Sequence, residues 1–409
     1  MNKKDFSYLN KLIKKYKNSK NRNFYSLVGE PFLNEDLIAG IETLLKGRIT
    51  MSSITKKFEI EFARYIGSKY ALMVNSGSSA NLLALFSSIN PKNKNRLNQK
   101  DECLIPALCW STSLWPIVQA GLKPKFVDVD LNTFNFDLKK LEKKITSKTK
   151  AIMAVHVLGN SANMKNLMRI VKKHKLTLIE DTCESLGSKY ERKYLGTFGK
   201  FGTYSFYVSH QLIAGEGGML VCNDLSDYKI AHSLRAHGWD RGLNNKQNTK
   251  FNFVNSGFNL RPLDLTAAIG YSQFKRLSKS IKIRTSNRNK IIKAVKNSPK
   301  WKNQLTFLEP ASNLKPSWFG IPILLNRKFV KKKKRYLDSL NKNGIETRPI
   351  ISGNFLNQPS IKLYKLNKNK EKFSVAQDIE NRGFFIGLHT NYIDKNELKK
   401  VSNNLLSID

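Results

Sequence analysis

The chain has 409 residues with a hydrophobic content of 40%, enough to bury a large core and to form two domains. Its formal net charge of +40 raises nucleic-acid binding as a reading, but the lysines are scattered through Asn-, Ser- and Thr-bearing stretches such as Lys11–Lys20, Lys92–Lys100 and Lys139–Lys150. No nucleic-acid module accompanies them, so a solvated Lys- and Asn-rich surface is preferred, and four cysteines without a CxxC pair exclude a small disulfide scaffold.

Reduced thiols in a cytoplasmic protein are expected. No apolar run has the length of a membrane span or of a signal-peptide core, so no membrane partner is expected. Neither is a metal site.

Three regions are expected along the chain: a basic arm over 1–28, a large domain over 29–290 and a smaller α+β domain over 291–409. The arm reads as part helix and part loop. Helical periodicity follows in Asn34–Leu45 and in Lys56–Tyr65, where Phe58, Phe62 and Tyr65 recur at helical spacing. Tyr70–Val74 reads as a strand, and Asn75–Asn81 as a small-residue turn that opens a helix at Leu82. Strand, turn and helix N-terminus make an anion site, although a simple N-cap explains the same residues equally well.

Strand patterns alternate with helices through Cys103–Ala107, Lys125–Val129, Ala151–Val157 and Leu176–Ile179. Such βα units imply a mostly parallel sheet covered on both faces. Asp181 then falls at a strand's carboxyl end, where open α/β sheets place their ligands. His156 and Asn160 fall at another strand end, and for His156 a structural role is the safer expectation. A further apolar segment, Thr203–Val208, ends on Ser209-His210 and is followed by the Gly-Glu-Gly-Gly turn at Gly215–Gly218. Glycines there let the backbone pass a bulky ligand. Later come His237, within Ser233–Arg241, and Gly257–Asp264, which leads into a helix at Leu265–Tyr271. In the last domain a strand over Trp318–Leu325 precedes a basic helix over Lys328–Leu340.

An acid and a histidine thus converge on one end of a sheet, but their spacing does not name the chemistry. The segments Ile179–Gly187 (IEDTCESLG) and Gly199–Met219 (GKFGTYSFYVSHQLIAGEGGM) resemble the pyridoxal-phosphate (PLP) region of the DegT/DnrJ/StrS family of sugar aminotransferases. The resemblance implies an aspartate aminotransferase-like α/β fold. In that family the second segment carries a lysine that bonds covalently to PLP. This chain has His210 in its place, and no lysine stands between Lys200 and Lys229. The same departure resembles one branch of the family, the sugar 3-dehydratases that make 3,6-dideoxyhexoses.

By that resemblance PLP and its amine form, PMP, are held without a covalent bond. Asp181 faces the pyridine nitrogen, Trp110 stacks on the ring, and Gly77, Ser78 and Ser205 contact the phosphate. Glu184 lies near the cofactor's other face or the catalytic histidine. Asn259 and Arg261 reach the neighbouring subunit's cofactor phosphate and substrate, which implies a homodimer with shared sites. Arg348 lies near the mouth of the site, and His237 assists the leaving hydroxyl or glutamate. His210 performs the proton transfer, for which an unperturbed pKa of about 6.5 suits it.

L-Glutamate and a nucleotide-linked 4-keto-6-deoxyhexose are the expected partners. One subtype of the branch acts on CDP-sugars through a [2Fe–2S] cluster. Between His210 and Asn259 this chain has only Cys222, too few thiolates for a four-cysteine cluster. The sequences TCES and LRAHGW resemble the cluster-free subtype of colitose-type surface-polysaccharide biosynthesis, which uses GDP-4-keto-6-deoxymannose. Amino transfer, a CDP-sugar substrate and a PLP-binding regulator without catalysis are the alternatives.

Overall fold

A computed structural model describes residues 3–17, 24–47, 49–243 and 251–408. Its centre is a seven-stranded sheet with the spatial order Tyr70–Val74, Gly218–Cys222, Phe201–Ser205, Thr177–Asp181, Thr149–Val155, Glu102–Pro106 and Lys123–Val127. The pairs from Phe201–Ser205 to Lys123–Val127 are parallel. Gly218–Cys222 alone runs antiparallel to its neighbours. Strands buried on both faces read as near-continuous apolar runs, which explains Ala71–Val74 and Cys103–Ile105, all buried. The family-implied α/β fold is the one observed.

Element boundaries differ from the expected ones in instructive ways. The first βα helix begins at Gly77 rather than Leu82, because Ser76 caps it, accepting from the Ser79 amide at 3.1 Å. Capping offsets the weak helix preference of Gly and Ser. The strand expected over Thr203–Val208 ends at Ser205, and Phe206–His210 turns away, closed by the His210 amide on the Tyr207 carbonyl at 3.0 Å. The strand expected from Trp318 starts at Ile321. Arg284 donates to the Trp318 carbonyl at 3.0 Å and also to the Phe319 carbonyl, occupying acceptors a ladder would have used.

A second, antiparallel sheet joins Leu305–Phe307, Ile321–Leu325, Gly383–Ile386 and Thr347–Arg348 in that order. The 20-residue helix Leu277–Lys296 precedes it and runs through residue 290. The N-terminal arm contains the helix Lys3–Lys17. Further on, Tyr25 is wholly buried, exchanges backbone hydrogen bonds with Gly344 and Glu346, and stacks on His389 at 4.3 Å. Residues 25–28 therefore run beside the second sheet and reach the site.

Candidate active site

A cavity of about 780 Å³ opens at the carboxyl ends of the parallel strands, lined by Val155, Asp181 and Ser205 from three of them. Asp181, the last residue of its strand, is held on both oxygens. Oδ2 accepts from Ser113 Oγ at 2.7 Å and Asn81 Nδ2 at 2.8 Å, and Oδ1 accepts from the Cys183 amide at 3.2 Å. The Thr203 hydroxyl donates to Asn81 Oδ1 at 2.6 Å, which fixes the Asn81 amide with its NH2 toward the carboxylate. Asn81 and Ser113 sit on the helices that follow the first two strands. Both were missed in the sequence, although position on a βα turn was the available signal.

Gly77 shows why a glycine is needed at the cavity floor. A Cβ there would lie 2.5 Å from Ser205 Cβ and 2.9 Å from Cys183 Sγ, so any side chain would lift the helix N-terminus off the strand end. Helix N-terminal amides leave free donors; that of Ser79 is taken by Ser76. Ser78 Oγ donates to Thr112 Oγ1 at 2.8 Å, and both residues line the cavity beside Gly77. Trp110 also lines it and is 56% exposed.

His210 lies on the turn after Ser205, edge-on to Phe319 at 5.1 Å, with Nδ1 3.5 Å from Ser209 Oγ. Burial pushes its pKa down to about 3, opposed by a hydrogen bond between the imidazole and the Tyr207 backbone and helped by the positive Arg284. Glu184 is shifted the other way. Burial pushes its pKa up to about 8, opposed by the Leu158 amide that donates to Oε2 at 2.9 Å and helped by the negative Asp181. At neutral pH the cavity therefore holds an uncharged base and a protonated acid. That separation is the pattern of acid–base sites.

Arg348 stands exposed on its short strand, 3.4 Å from Glu346, and both line the same cavity. His156 lines it too, with Nε2 3.1 Å from Glu180 Oε2. Glu180 also accepts from the amides of Gly196, Phe198 and Gly199, so this buried pair braces the loop before Phe201. Ser26, Leu27, Val28, Glu216 and Phe319 also line it. The arm residues among them carry no local signal, since the Tyr25–Ile345 bridge that places them spans most of the chain.

His237, Asn259 and Arg261 do not line this cavity. His237 lies on an exposed strip beside the Ala236–Asn259 bridge. Its backbone φ is 63°, its amide donates to the Phe258 carbonyl, and its side chain is exposed. Arg261 Nε donates to Asn259 Oδ1 at 3.1 Å on the same exposed strip. Among the described residues no group of three or more His, Cys, Asp or Glu is placed to hold a metal, and no helix is long and apolar enough to cross a membrane.

Residues 33–406 match the model of the DegT/DnrJ/EryC1/StrS aminotransferase family. The chain is 37% identical over 362 residues to the GDP-4-keto-6-deoxy-D-mannose 3-dehydratase of Escherichia coli O55:H7, covering 85% of this chain and 91% of that one. It is 38% identical over 372 residues to the enzyme of the same name from Yersinia pseudotuberculosis, covering 87% and 91%. A solved structure of the E. coli dehydratase with bound hydrated PLP superposes with a TM-score of 0.85 at 34% identity, covering 94% of this chain and all of that one. The chain belongs to the DegT/DnrJ/EryC1/StrS family.

Proposed function

We propose that this member of the family removes the C-3 hydroxyl of GDP-4-keto-6-deoxy-D-mannose, with PLP/PMP as cofactor and L-glutamate as reductant. One observation carries the reading: His210, uncharged, lies in the same cavity as a firmly held Asp181, and the sequence resemblance puts it at the family's lysine position. The residues present fit the cofactor. Asp181 is preset for a protonated ring nitrogen, Trp110 offers its face to the ring, and the Gly77–Ser205 contact leaves backbone and hydroxyl donors for the phosphate. Bound there, the cofactor supplies the electron sink that lets the C-3–oxygen bond break.

The protein's own groups divide the remaining work. His210, unable to bond covalently as a lysine does, leaves the cofactor exchangeable and moves the proton at its C-4′ carbon. Protonated Glu184 hands a proton to the departing hydroxide. Arg348 at the mouth binds the anionic nucleotide. Glutamate loses two electrons and becomes 2-oxoglutarate and ammonia; the sugar gains them at C-3, and the oxygen leaves as water. Asn259 and Arg261 complete the cavity of a second copy in a homodimer, a reading supported by the exposed strip they lie on and by the open rim at Trp110. The four free cysteines suit a reducing cytoplasm.

The test is His210→Lys. With PLP the variant is expected to give a borohydride-reducible covalent adduct and to leave the C-3 oxygen on the sugar. Deoxygenation at the parent rate would remove His210 as the proton-transfer group.

A further inference from the structure

A second cavity, of about 260 Å³, adjoins the first, and none of the chemistry above uses it. His210 and Val28 line both. One wall is the start of the helix Leu277–Lys296, with Arg276, Lys279, Ser280 and Arg284 on the lining. Arg276, the cap residue, makes no side-chain cap bond there, so no cap offsets the partial positive charge of that helix start. Its guanidinium is taken by Asp36, at 2.8 Å from Nη1.

Arg284 has no such partner. It is 4% exposed, and two of its nitrogens donate to backbone carbonyls, Nε to Trp318 at 3.0 Å and Nη2 to Phe319. Among the described residues nothing accepts from Nη1, and no carboxylate pairs with the guanidinium. Burial lowers its pKa only to about 10, so it is charged at neutral pH. The Tyr25 phenol is the one titratable group acting on it, and its own burial pushes that phenol up and keeps it neutral. A buried charge without a counter-charge is costly, and this one lines a cavity that could hold an anion.

We propose that the second cavity binds a small carboxylate, with Arg284 as its buried counter-charge and the exposed Lys279 as a second cation at the rim. A guanidinium nitrogen without a partner suits a carboxylate oxygen, and the uncapped helix start favours the same sign of charge. With Arg276 occupied by Asp36, the lining sets Arg284 and Lys279 against Glu30, a surplus of one positive charge. That matches one carboxylate better than inorganic phosphate, which carries nearly two charges at neutral pH. L-Glutamate and 2-oxoglutarate are the carboxylates of the reaction proposed above, and the choice of source rests on that reading. Held here, either stands beside His210, to which the proton transfer is assigned.

The experiment is calorimetric titration of the PLP-loaded protein with glutarate, which has two carboxylates but no amine or ketone to react with the cofactor. Saturable binding is expected. Arg284→Met should weaken it on the order of tenfold to a hundredfold. Ile213→Phe, at a residue that lines the second cavity and not the first, should weaken it comparably by filling the space. Lys279→Gln should weaken it about threefold, and Arg348→Gln, in the first cavity, should leave it unchanged. If Arg284→Met fails to fold by circular dichroism, Ile213→Phe and Lys279→Gln decide. Titrating the PMP form with L-glutamate and with 2-oxoglutarate identifies the source as the tighter of the two. No saturable glutarate binding, binding lost in Arg348→Gln alone, or inorganic phosphate bound at least as tightly would each overturn the proposal. No sugar enters these titrations, so their failure leaves the deoxygenation reading standing, and a failure to deoxygenate leaves the carboxylate site standing.

Discussion

Asp181 and His210 share one cavity but are held in opposite ways. Three donors from three separate elements fix the carboxylate of Asp181. His210 sits on a turn, with one backbone bond, an edge contact to Phe319 and a loose approach to Ser209. The difference fits the tasks proposed for them. A group that keeps one charge state throughout the reaction is best surrounded by fixed dipoles, because they need not reorganise. A group that gains and loses a proton must keep a lone pair free, and it is tuned by burial instead of by partners.

The comparison is broken most severely by Asp181→Asn. That change removes the charge proposed to face the ring nitrogen and sets an amide NH2 against the donors of Asn81 and Ser113, so kcat/KM should fall on the order of 10³-fold. Measuring PMP retention by dialysis separates lost binding from lost rate. A smaller effect is expected of Glu184→Gln, about 10²-fold in kcat, together with a changed pH profile. Glu184 is protonated below about pH 8, so the parent's activity should decline as pH rises through 8, and the glutamine variant should lack that limb. His210, with its pKa near 3, should contribute no acid limb near 6.5.

Stability carries the same two signs. The raised pKa of Glu184 makes its contribution fall as pH rises from its unfolded value through 8. The lowered pKa of His210 makes its contribution fall as pH drops below its unfolded value toward 3. Acid unfolding of His210→Asn should therefore be displaced to lower pH, as followed by circular dichroism. The mildest change is Ser113→Ala, which deletes one of the three donors on Asp181. It should cost about 1–3 kcal/mol of stability in urea melts and lower kcat/KM about tenfold or less.

Much of this was legible in the sequence. Asp181 stood at the end of an apolar run, and His210 stood where a lysine was due, so both polar anchors were in view before any coordinates. The supports of Asp181 were not, because Asn81 and Ser113 are ordinary residues until strand order brings two different helices over one carboxylate. The helix start at Gly77 was hidden by weak helix formers, which a cap and a close approach to Ser205 override. His237 shows a different gap. A motif names a residue type and a chemistry, but the placing of His237 on the exposed strip beside Asn259 depends on pairing with a segment about twenty residues further on, which has no signal in LRAHGW. The arm segment Ser26–Val28 enters the cavity wall through pairing with residues more than three hundred positions away, beyond any local pattern.

The most direct measurement is mass spectrometry of the sugar after the protein is incubated with PLP, L-glutamate and GDP-4-keto-6-deoxy-D-mannose, with no reductase added. A product lacking the C-3 oxygen, formed with equal amounts of 2-oxoglutarate and ammonia, is the expected result. A product that keeps that oxygen and carries a new amine would contradict the role given to His210 and make the chain an aminotransferase working without its lysine.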